Sequence, residues 1–235
     1  MNVLVIGGAG RVASIVIPFL KQQHTLRVFD LKPPADISLD YVAGDLSDFD
    51  TLSQAAQGMD ALLYMAMGSL DWPTVNGMKS AFDINVKGVY LALKAAFEAG
   101  AQHAVHCSTM SVYEDLLKRY MFDEDQTPDA RDLYGFTKRM GEAVCHNMFQ
   151  RTGMSVNALR LCLPVSDEEW LEKTQAGVPT IATAASDLAR AFHAALNYRN
   201  GFQAIMISGD YENKLLNLAK AKRVLDWEPL KRPRS

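Results

Sequence analysis

Two side chains in the middle of the chain have a spacing that suits proton transfer. Tyr134 and Lys138 are four residues apart within a stretch, 133–152, whose pattern predicts one long helix, so both side chains project from the same helix face. A free phenol has a pKa of about 10, and a neighbouring ammonium favours its ionised form. A phenolate can remove the proton of a substrate hydroxyl. The pair therefore predicts a general base whose pKa is lowered by a lysine.

A hydroxyl that could assist this base comes 25 residues earlier, at Thr109. Thr109 follows the apolar stretch 102–107, which predicts a strand. A hydroxyl at the end of that strand can hold a substrate oxygen beside the phenol. The alternative is structural, because Ser108, Thr109 and Ser111 could form a hydroxyl-rich turn that caps the next segment.

The first thirty residues predict the site of a nucleotide. An apolar run at 3–6 leads into the turn Gly-Gly-Ala-Gly-Arg-Val-Ala at 7–13, then a helical stretch, then a second apolar run that ends on Asp30. This order is typical of a dinucleotide-binding βαβ unit. Asp30 is placed to accept the adenosine ribose hydroxyls and to repel a 2′-phosphate, which favours NAD over NADP. The alternative is a glycine turn that binds nothing, with Arg11 either contacting a phosphate or exposed to water.

Strand and helix patterns alternate along the rest of the chain. This alternation predicts an α/β fold: a Rossmann-type doubly wound parallel sheet at 1–161, with a small C-terminal substrate lobe at 162–235 that partly returns to the core as a single compact unit. Asp45 ends the third predicted strand, where it could reach an adenine amino group or cap the next helix. Strands are predicted at 3–6, 26–29, 39–42, 60–67, 102–107, 155–161 and 204–208, and helices at 11–23, 48–57, 79–99, 133–152, 167–174, 185–196 and 213–225.

Composition and charge limit the binding partners and the cell compartment that we expect. The formal net charge is −3, and the basic residues of the tail (Lys231, Arg232 and Arg234) form a short cluster, so we expect no nucleic-acid partner. Three widely spaced cysteines predict reduced thiols, and the histidines show no metal-site spacing. The apolar runs are too short to span a membrane, and the first strand leaves no room for a signal peptide. The expected compartment is therefore the cytoplasm.

Taken together, the motifs resemble those of an extended short-chain dehydrogenase/reductase of the NAD-dependent epimerase/dehydratase family. The similarity covers essentially the whole chain. The matching residues are Gly7-x-x-Gly10-x-x-Ala13, Asp30, Asp45-Leu46, Asn85-Val86-x-Gly88, the run from His106 to Tyr113, Tyr134-x-x-x-Lys138, Leu159-Arg160 and the run from Ala221 to Pro229.

The resemblance implies a role for each matching residue. Tyr134 is implied as the base, Lys138 as the ribose anchor that tunes its pKa, and Thr109 as the hydroxyl that positions the substrate. Asn85 is implied either as part of a proton relay or as a buried amide that ties two strands together. Family members often dimerise through the helices of Asn85 and Tyr134, so we expect a homodimer. The implied contacts with the cofactor are Gly7, Gly10, Arg11, Val12, Asp30, Asp45, Leu46, Met65 and Ala66, with Tyr134 and Lys138.

Some features depart from the family pattern. The segment 162–165 reads Cys-Leu-Pro-Val where the family often reads Asn-Val-Tyr-Gly-Pro, which removes a polar contact. The chain is short for the family, so we expect a smaller substrate than a nucleotide sugar, such as a free sugar or sugar acid. Uronate dehydrogenases are of this size, but the segment from Val165 to Gly177 has no arginine for a carboxylate, which weakens that interpretation.

The resulting functional prediction is an NAD-dependent oxidoreductase or epimerase/dehydratase that acts on a sugar hydroxyl through tyrosine-assisted hydride transfer. The alternative is a non-catalytic NAD(P)-binding regulator or redox sensor on the same scaffold, since fold alone does not separate the two. Retention of the Tyr/Lys pair at the right distance from Thr109 favours the enzyme. Net oxidation, epimerisation and dehydration remain open alternatives.

Overall fold

The computed structural model describes residues 1–175 and 181–233, which form a parallel sheet covered by helices on both faces. The seven strands of the sheet stand in the order β3-β2-β1-β4-β5-β6-β9, and every pairing is parallel. This is the predicted doubly wound Rossmann arrangement, because the strand order reverses between β1 and β4. The strands are β1 (Asn2–Ile6), β2 (Thr25–Asp30), β3 (Asp40–Ala43), β4 (Ala61–Tyr64), β5 (His103–Thr109), β6 (Ser155–Leu161) and β9 (Phe202–Ile207), with the short separate pair β7 (Pro164–Val165) and β8 (Thr183–Ala184).

The helices divide between the two faces of the sheet. Side chains alternate along β1, so that Val3 and Val5 belong to the core under α1, α7 and α8, while Leu4 and Ile6 belong to the core under α2, α4 and α5. Both faces are thereby buried, which explains why the central strands read as continuous apolar runs. The helices are α1 (Arg11–Leu20), α2 (Phe49–Ala56), α3 (Val75–Phe82), a π-helical segment (Asp83–Gly88), α4 (Val89–Glu98), α5 (Leu133–Thr152), α6 (Asp167–Gln175), α7 (Ala185–Asn197) and α8 (Ala219–Leu225).

Two predicted helices begin at other residues in the structure, and one pair of short strands is additional. The helix predicted over 79–99 begins earlier, at Val75, and contains the π-helical segment, a feature that is frequent at functional sites. The helix predicted from 213 begins at Ala219, because the Asp210 carboxylate accepts the backbone N–H groups of residues 214–216 and holds a loop there. The pair β7 and β8 was not predicted, since two residues carry no periodic pattern.

The segment after β6 builds a small cluster and then returns to the main sheet. Trp170 of α6 is buried against Val165, Ala182 and Ala184. Downstream of this cluster, α7 and α8 pack on the sheet, and β9 extends it beside β6. The three cysteines are free, and no helix in the described part of the chain is long and apolar enough to cross a membrane.

Candidate active site

A cavity of about 1000 Å³ runs along the carboxyl ends of the strands. Open α/β sheets bind their ligands at this edge, where the strand order reverses. The cavity brings together every predicted site residue except Asn85. Its wall includes Gly7, Gly10, Arg11 and Val12 after β1, Asp30 after β2, Asp45 and Leu46 after β3, Met65 and Ala66 after β4, Thr109 at the end of β5, and Tyr134 and Lys138 from α5.

The glycine turn forms one end of the cavity by close backbone contact. Gly7 has a φ of +80°, and a Cβ built on it would lie 2.4 Å from the backbone nitrogen of Ala66. Only glycine meets both conditions without strain. Gly10 then stands at the N-cap of α1 with no side chain over the first turn, so free N–H groups face the cavity edge. This arrangement fits the diphosphate of a dinucleotide.

Acidic side chains are fixed at the ends of the next two strands. The Asp30 carboxylate accepts hydrogen bonds from the backbone N–H of Ala9 (3.0 Å) and of Lys32 (3.2 Å), which hold it against the glycine turn. The Asp45 carboxylate accepts hydrogen bonds from the hydroxyl and backbone N–H of Ser47, and these bonds lower the pKa of Asp45. Asp48, not Asp45, caps α2. Both carboxylates are therefore held in place to accept hydrogen bonds from hydroxyl or amino groups of a ligand.

Tyr134 is held near the turn that follows β5. The Asp132 carboxylate caps α5 by accepting the Gly135 N–H, and a Cβ on Gly135 would lie only 2.2 Å from the carbonyl oxygen of Ser111. The first turn of α5 thus presses against the chain just beyond Thr109. This contact explains how residues 25 apart in sequence come to face the same cavity.

The environment of Tyr134 differs from the one that its spacing predicts. Burial raises the pKa of Tyr134 to about 12, and a hydrogen bond with the Thr109 side chain offsets only part of that rise. The sequence predicts that Lys138 and the positive nicotinamide of bound NAD together lower this pKa, whereas in the protein alone desolvation of the phenolate outweighs the favourable contacts. The phenol ring also stacks on the indole of Trp72, with ring centroids 5.8 Å apart. Trp72 carried no sequence signal for this contact, since its loop has no periodic pattern.

Lys138 is buried in the wall of the same cavity. Its Nζ donates a hydrogen bond to the carbonyl oxygen of Cys107 (2.6 Å), and burial lowers the pKa of Lys138. Thr109 also accepts a hydrogen bond from the Ser111 N–H (3.1 Å), so its hydroxyl both caps the turn and meets Tyr134. The structural and chemical interpretations of Thr109 are therefore compatible.

Asn85 lies behind the cavity wall rather than in it. Its Oδ1 accepts the N–H of Gly68 (3.0 Å), and its Nδ2 donates to the hydroxyl of Thr137 (2.9 Å). The buried amide thereby connects the loop after β4 to α5, rather than two strands. Both polar atoms of the side chain are engaged, so the geometry fits a structural amide more closely than a proton relay.

A buried ion pair supports α5 one turn beyond Lys138, and the sequence analysis missed it. Glu142 accepts two hydrogen bonds from Arg160 of β6 (3.0 and 2.7 Å) and one from the Ser108 hydroxyl (2.5 Å). The pair fastens α5 to the ends of β5 and β6. The available signal was an arginine in the predicted strand 155–161, because a charge in a buried central strand must be paired.

Comparisons with known proteins identify the family of the chain and proteins of similar fold. The model of the NAD dependent epimerase/dehydratase family matches residues 3–183. A 3 beta-hydroxysteroid dehydrogenase/Delta 5-->4-isomerase of Mycobacterium tuberculosis is 36% identical over 152 residues, which are 60% of this chain and 41% of the relative. A UDP-glucose 4-epimerase of Lactobacillus helveticus is 28% identical over 168 residues, which are 68% of this chain and 51% of the relative.

Among solved structures, MoeE5 in complex with UDP-glucose and NAD superimposes with a TM-score of 0.81 at 20% identity, covering 99% of this chain and 94% of the other. That likeness shows the fold. The chain spans about half or less of the length of the two curated relatives, 41% and 51%.

Proposed function

The chain belongs to the NAD-dependent epimerase/dehydratase family, and from that membership we propose that it is an oxidoreductase or epimerase/dehydratase acting on a hydroxyl of a sugar or sugar derivative with NAD. The observation that carries this proposal is the meeting of Thr109, Tyr134 and Lys138 in a cavity whose other end fits a dinucleotide. A relative named for UDP-glucose and a fold neighbour that binds UDP-glucose with NAD support the substrate class.

The residues that would hold NAD are those of the glycine turn and the first two strand ends. The open N-terminus of α1 would bind the diphosphate, and Asp30 would accept the ribose hydroxyls. A carboxylate at that place repels a 2′-phosphate, which favours NAD over NADP. When bound, NAD would supply the acceptor for a hydride from the substrate carbon.

The chain's own residues would handle the proton. The Thr109 hydroxyl would orient the substrate hydroxyl, and the Tyr134 oxygen beside it would take the proton. Lys138 would favour the phenolate through its charge, and its hydrogen bond to the Cys107 carbonyl oxygen fixes that charge in the cavity wall. In the reverse direction the neutral phenol would return the proton.

The test is removal of the phenolic oxygen. Tyr134→Phe is expected to lower turnover by about 10²- to 10⁴-fold, because proton transfer in the transition state is lost. Its NAD affinity should stay within about threefold of the original protein, a difference of less than 1 kcal/mol. The measurement is reduced-nicotinamide absorbance with NAD and a panel of free sugars, uronates and polyols.

The matched control is Tyr120→Phe, since Tyr120 is exposed and does not line the cavity. It should turn over normally. An unchanged rate in Tyr134→Phe would remove Tyr134 from the mechanism. NAD binding without a reduced-nicotinamide signal from any panel member would instead favour an epimerase or dehydratase that retains its cofactor, or the non-catalytic regulator.

We also propose that the protein is a homodimer that pairs through the helices of Asn85 and Tyr134. Phe82 and Phe136 on these helices pack edge to face at 6.4 Å and are both exposed, which leaves apolar surface for a second copy. Light scattering coupled to size exclusion tests this. A monomer at micromolar concentration would contradict it.

A further inference from the structure

We propose that the end of the cavity beside Tyr134 recognises an anionic group of the substrate through Lys79, assisted by Asn76 and Ser80, so that the substrate carries a carboxylate. This inference deepens the proposed function and rests on it. It names the class of hydroxyl compound that the site would accept: a small sugar acid rather than a neutral sugar.

The first observation is a stripe of mostly polar residues along one wall of the cavity. The cavity-lining residues of α3 and of the π-helical segment recur at intervals of three or four, so they share one helix face. They are Asn76, Lys79, Ser80, Asp83, Ile84 and Lys87.

The two ends of this stripe face different parts of the cavity. The higher-numbered end lies near the carboxyl end of β3, where the charge of Lys87 acts on Asp45 and a Cβ on Gly88 would contact Leu46. Asp45 and Leu46 are the residues expected at the adenine. At a rise of 1.5 Å per residue, Lys79 lies roughly 12 Å further along the helix.

The lower-numbered end lies beside Tyr134. Phe82 of α3 packs against Phe136 of α5, and Trp72, in the loop that leads into α3, stacks on the Tyr134 ring. The contacts of Trp72 before α3 and of Phe82 at its end therefore place α3 beside the first turn of α5. Lys79 shares this part of the wall with Asn76 and Ser80, so its ammonium is placed to meet the substrate rather than the adenine.

The charges along the stripe single out Lys79. Lys87 is neutralised by Asp83 at 2.6 Å, whereas Lys79 forms no ion pair with any residue in ranges 1–175 and 181–233. Ser80 already accepts the N–H of Ser69 (2.9 Å), which leaves its O–H to donate to a ligand. The Lys79 ammonium can pair with the single charge of a carboxylate. The neutral donors Asn76 and Ser80, within one helical turn of Lys79, can bond to the carboxylate oxygens.

This cation lies at the start of the helix predicted over 79–99, outside the segment in which a carboxylate partner is expected. The segment from Val165 to Gly177, where a carboxylate partner is expected, contains no arginine. Lys79 lies some ninety residues earlier in the chain, in α3, which follows the loop after β4. Only the fold brings it to the same cavity as Tyr134.

The test uses sugars that differ only in the carboxylate. D-glucuronate and D-glucose form one pair, D-galacturonate and D-galactose the other, each titrated calorimetrically into NAD-saturated Tyr134→Phe protein. We expect the acid of at least one pair to bind about tenfold or more tightly than its neutral partner. Lys79→Met should abolish that preference, while NAD affinity stays within about threefold.

Lys94→Met is the matched control, because Lys94 lies on α4 outside the cavity wall. It should keep the preference, and thermal unfolding confirms that both variants fold. The proposal is overturned if acid and neutral sugar bind equally, if none of the four sugars binds, or if Lys79→Met keeps the preference. A loss of NAD affinity with the preference intact would also overturn it and assign Lys79 to the cofactor.

Binding is read without turnover, so the two proposals fail in different ways. Full activity in Tyr134→Phe contradicts the proposed function, whereas equal binding of acid and neutral sugar contradicts only the anion site. In the original protein, the acid preference should also appear in kcat/KM and should weaken as salt is raised, since salt screens a partly exposed charge pair.

Discussion

At the scale of single residues, Tyr134 shows how burial and charge compete. The adjacent lysine is the feature that the sequence displays, and it predicts an acidified phenol. In the folded chain the Lys138 ammonium is committed to a backbone carbonyl, and desolvation raises the pKa of the phenol to about 12. The protein by itself therefore holds Tyr134 as a neutral proton donor, and ionisation must be favoured by a further positive charge.

This environment predicts a specific titration. In the protein without NAD, Tyr134 should give no phenolate absorbance below about pH 10, because its pKa lies above that of a free phenol. Saturation with NAD should lower the pKa, since a positive nicotinamide near the ring favours the phenolate. The measurement is the ultraviolet difference spectrum between the original protein and Tyr134→Phe across this pH range. A phenolate signal at neutral pH without NAD would contradict it.

The same pKa sets the direction of the activity profile. The base form of Tyr134 increases as pH rises toward its pKa, so oxidation of a substrate hydroxyl should become faster with increasing pH. Reduction needs the protonated phenol and should lose rate as pH rises through the same range. A pH-independent oxidation rate would show that Tyr134 is not the proton acceptor.

At the scale of elements, the glycine turn after β1 depends on the strand beside it. Gly7 combines a positive φ with a close approach to Ala66 at the end of β4, so backbone conformation and packing both require glycine. Gly58 has a similar φ of +74°, but a Cβ there would meet no atom within 4 Å. Comparing alanine substitutions at Gly7 and Gly58 therefore separates the free-energy cost of backbone strain from the cost of displacing the end of β4.

We expect Gly7→Ala to weaken NAD binding by about tenfold or more, because the turn or Ala66 must move. Gly58→Ala should lose only about 1–2 kcal/mol of unfolding free energy to the left-handed backbone and should bind NAD normally. Calorimetric titration of NAD and urea unfolding measure the two effects. Equal NAD affinities in both variants would contradict a cofactor role for the turn.

The predicted helix that contains Asn85 is interrupted in the structure. Its sequence predicts one continuous helix, but the chain forms an α-helix, a π-helical segment and a second α-helix. The side chain of Asn85, within the π-helical segment, bonds both to Gly68 and to Thr137. This amide joins the loop after β4 to the helix of Tyr134, and Trp72 of the same loop stacks on the phenol.

At the scale of the whole molecule, the end of the described chain is fastened back onto α7. The indole N–H of Trp227 donates to the Asp187 carbonyl oxygen (2.9 Å), and the Asp187 carboxylate accepts the N–H groups of Leu230 and Lys231. Trp227 is 1% exposed. The segment after α8 thus completes the core on that face of the sheet rather than trailing from it.

Trp227→Ala is expected to cost about 3–5 kcal/mol of unfolding free energy, the usual range for removing a buried tryptophan. Leu230→Ala in the same segment should change stability by no more than about 0.5 kcal/mol, because Leu230 is exposed. Urea unfolding of the two variants provides the measurement. A loss below about 1 kcal/mol in Trp227→Ala would show that this segment does not stabilise the core.

The sequence by itself determined the class of fold and the position of the site along it. The bounds of α5 and β6 match their predictions, because helix and strand patterns are local properties of the sequence. The glycine turn, Asp30 and Thr109 follow predicted strands, and the ends of parallel strands meet at one edge of a sheet. Local pattern was therefore enough to gather these residues.

Only the tertiary structure decided what surrounds them. The stacking of Trp72 on Tyr134, the pairing of Glu142 with Arg160 and the arrival of Lys79 in the cavity join positions that are far apart in the chain and carry no shared local pattern. The pKa of Tyr134 depends mainly on burial, and burial results from many contacts between distant parts of the chain. The chemistry of the side chains was readable from their spacing, but their charge state and partners follow from packing.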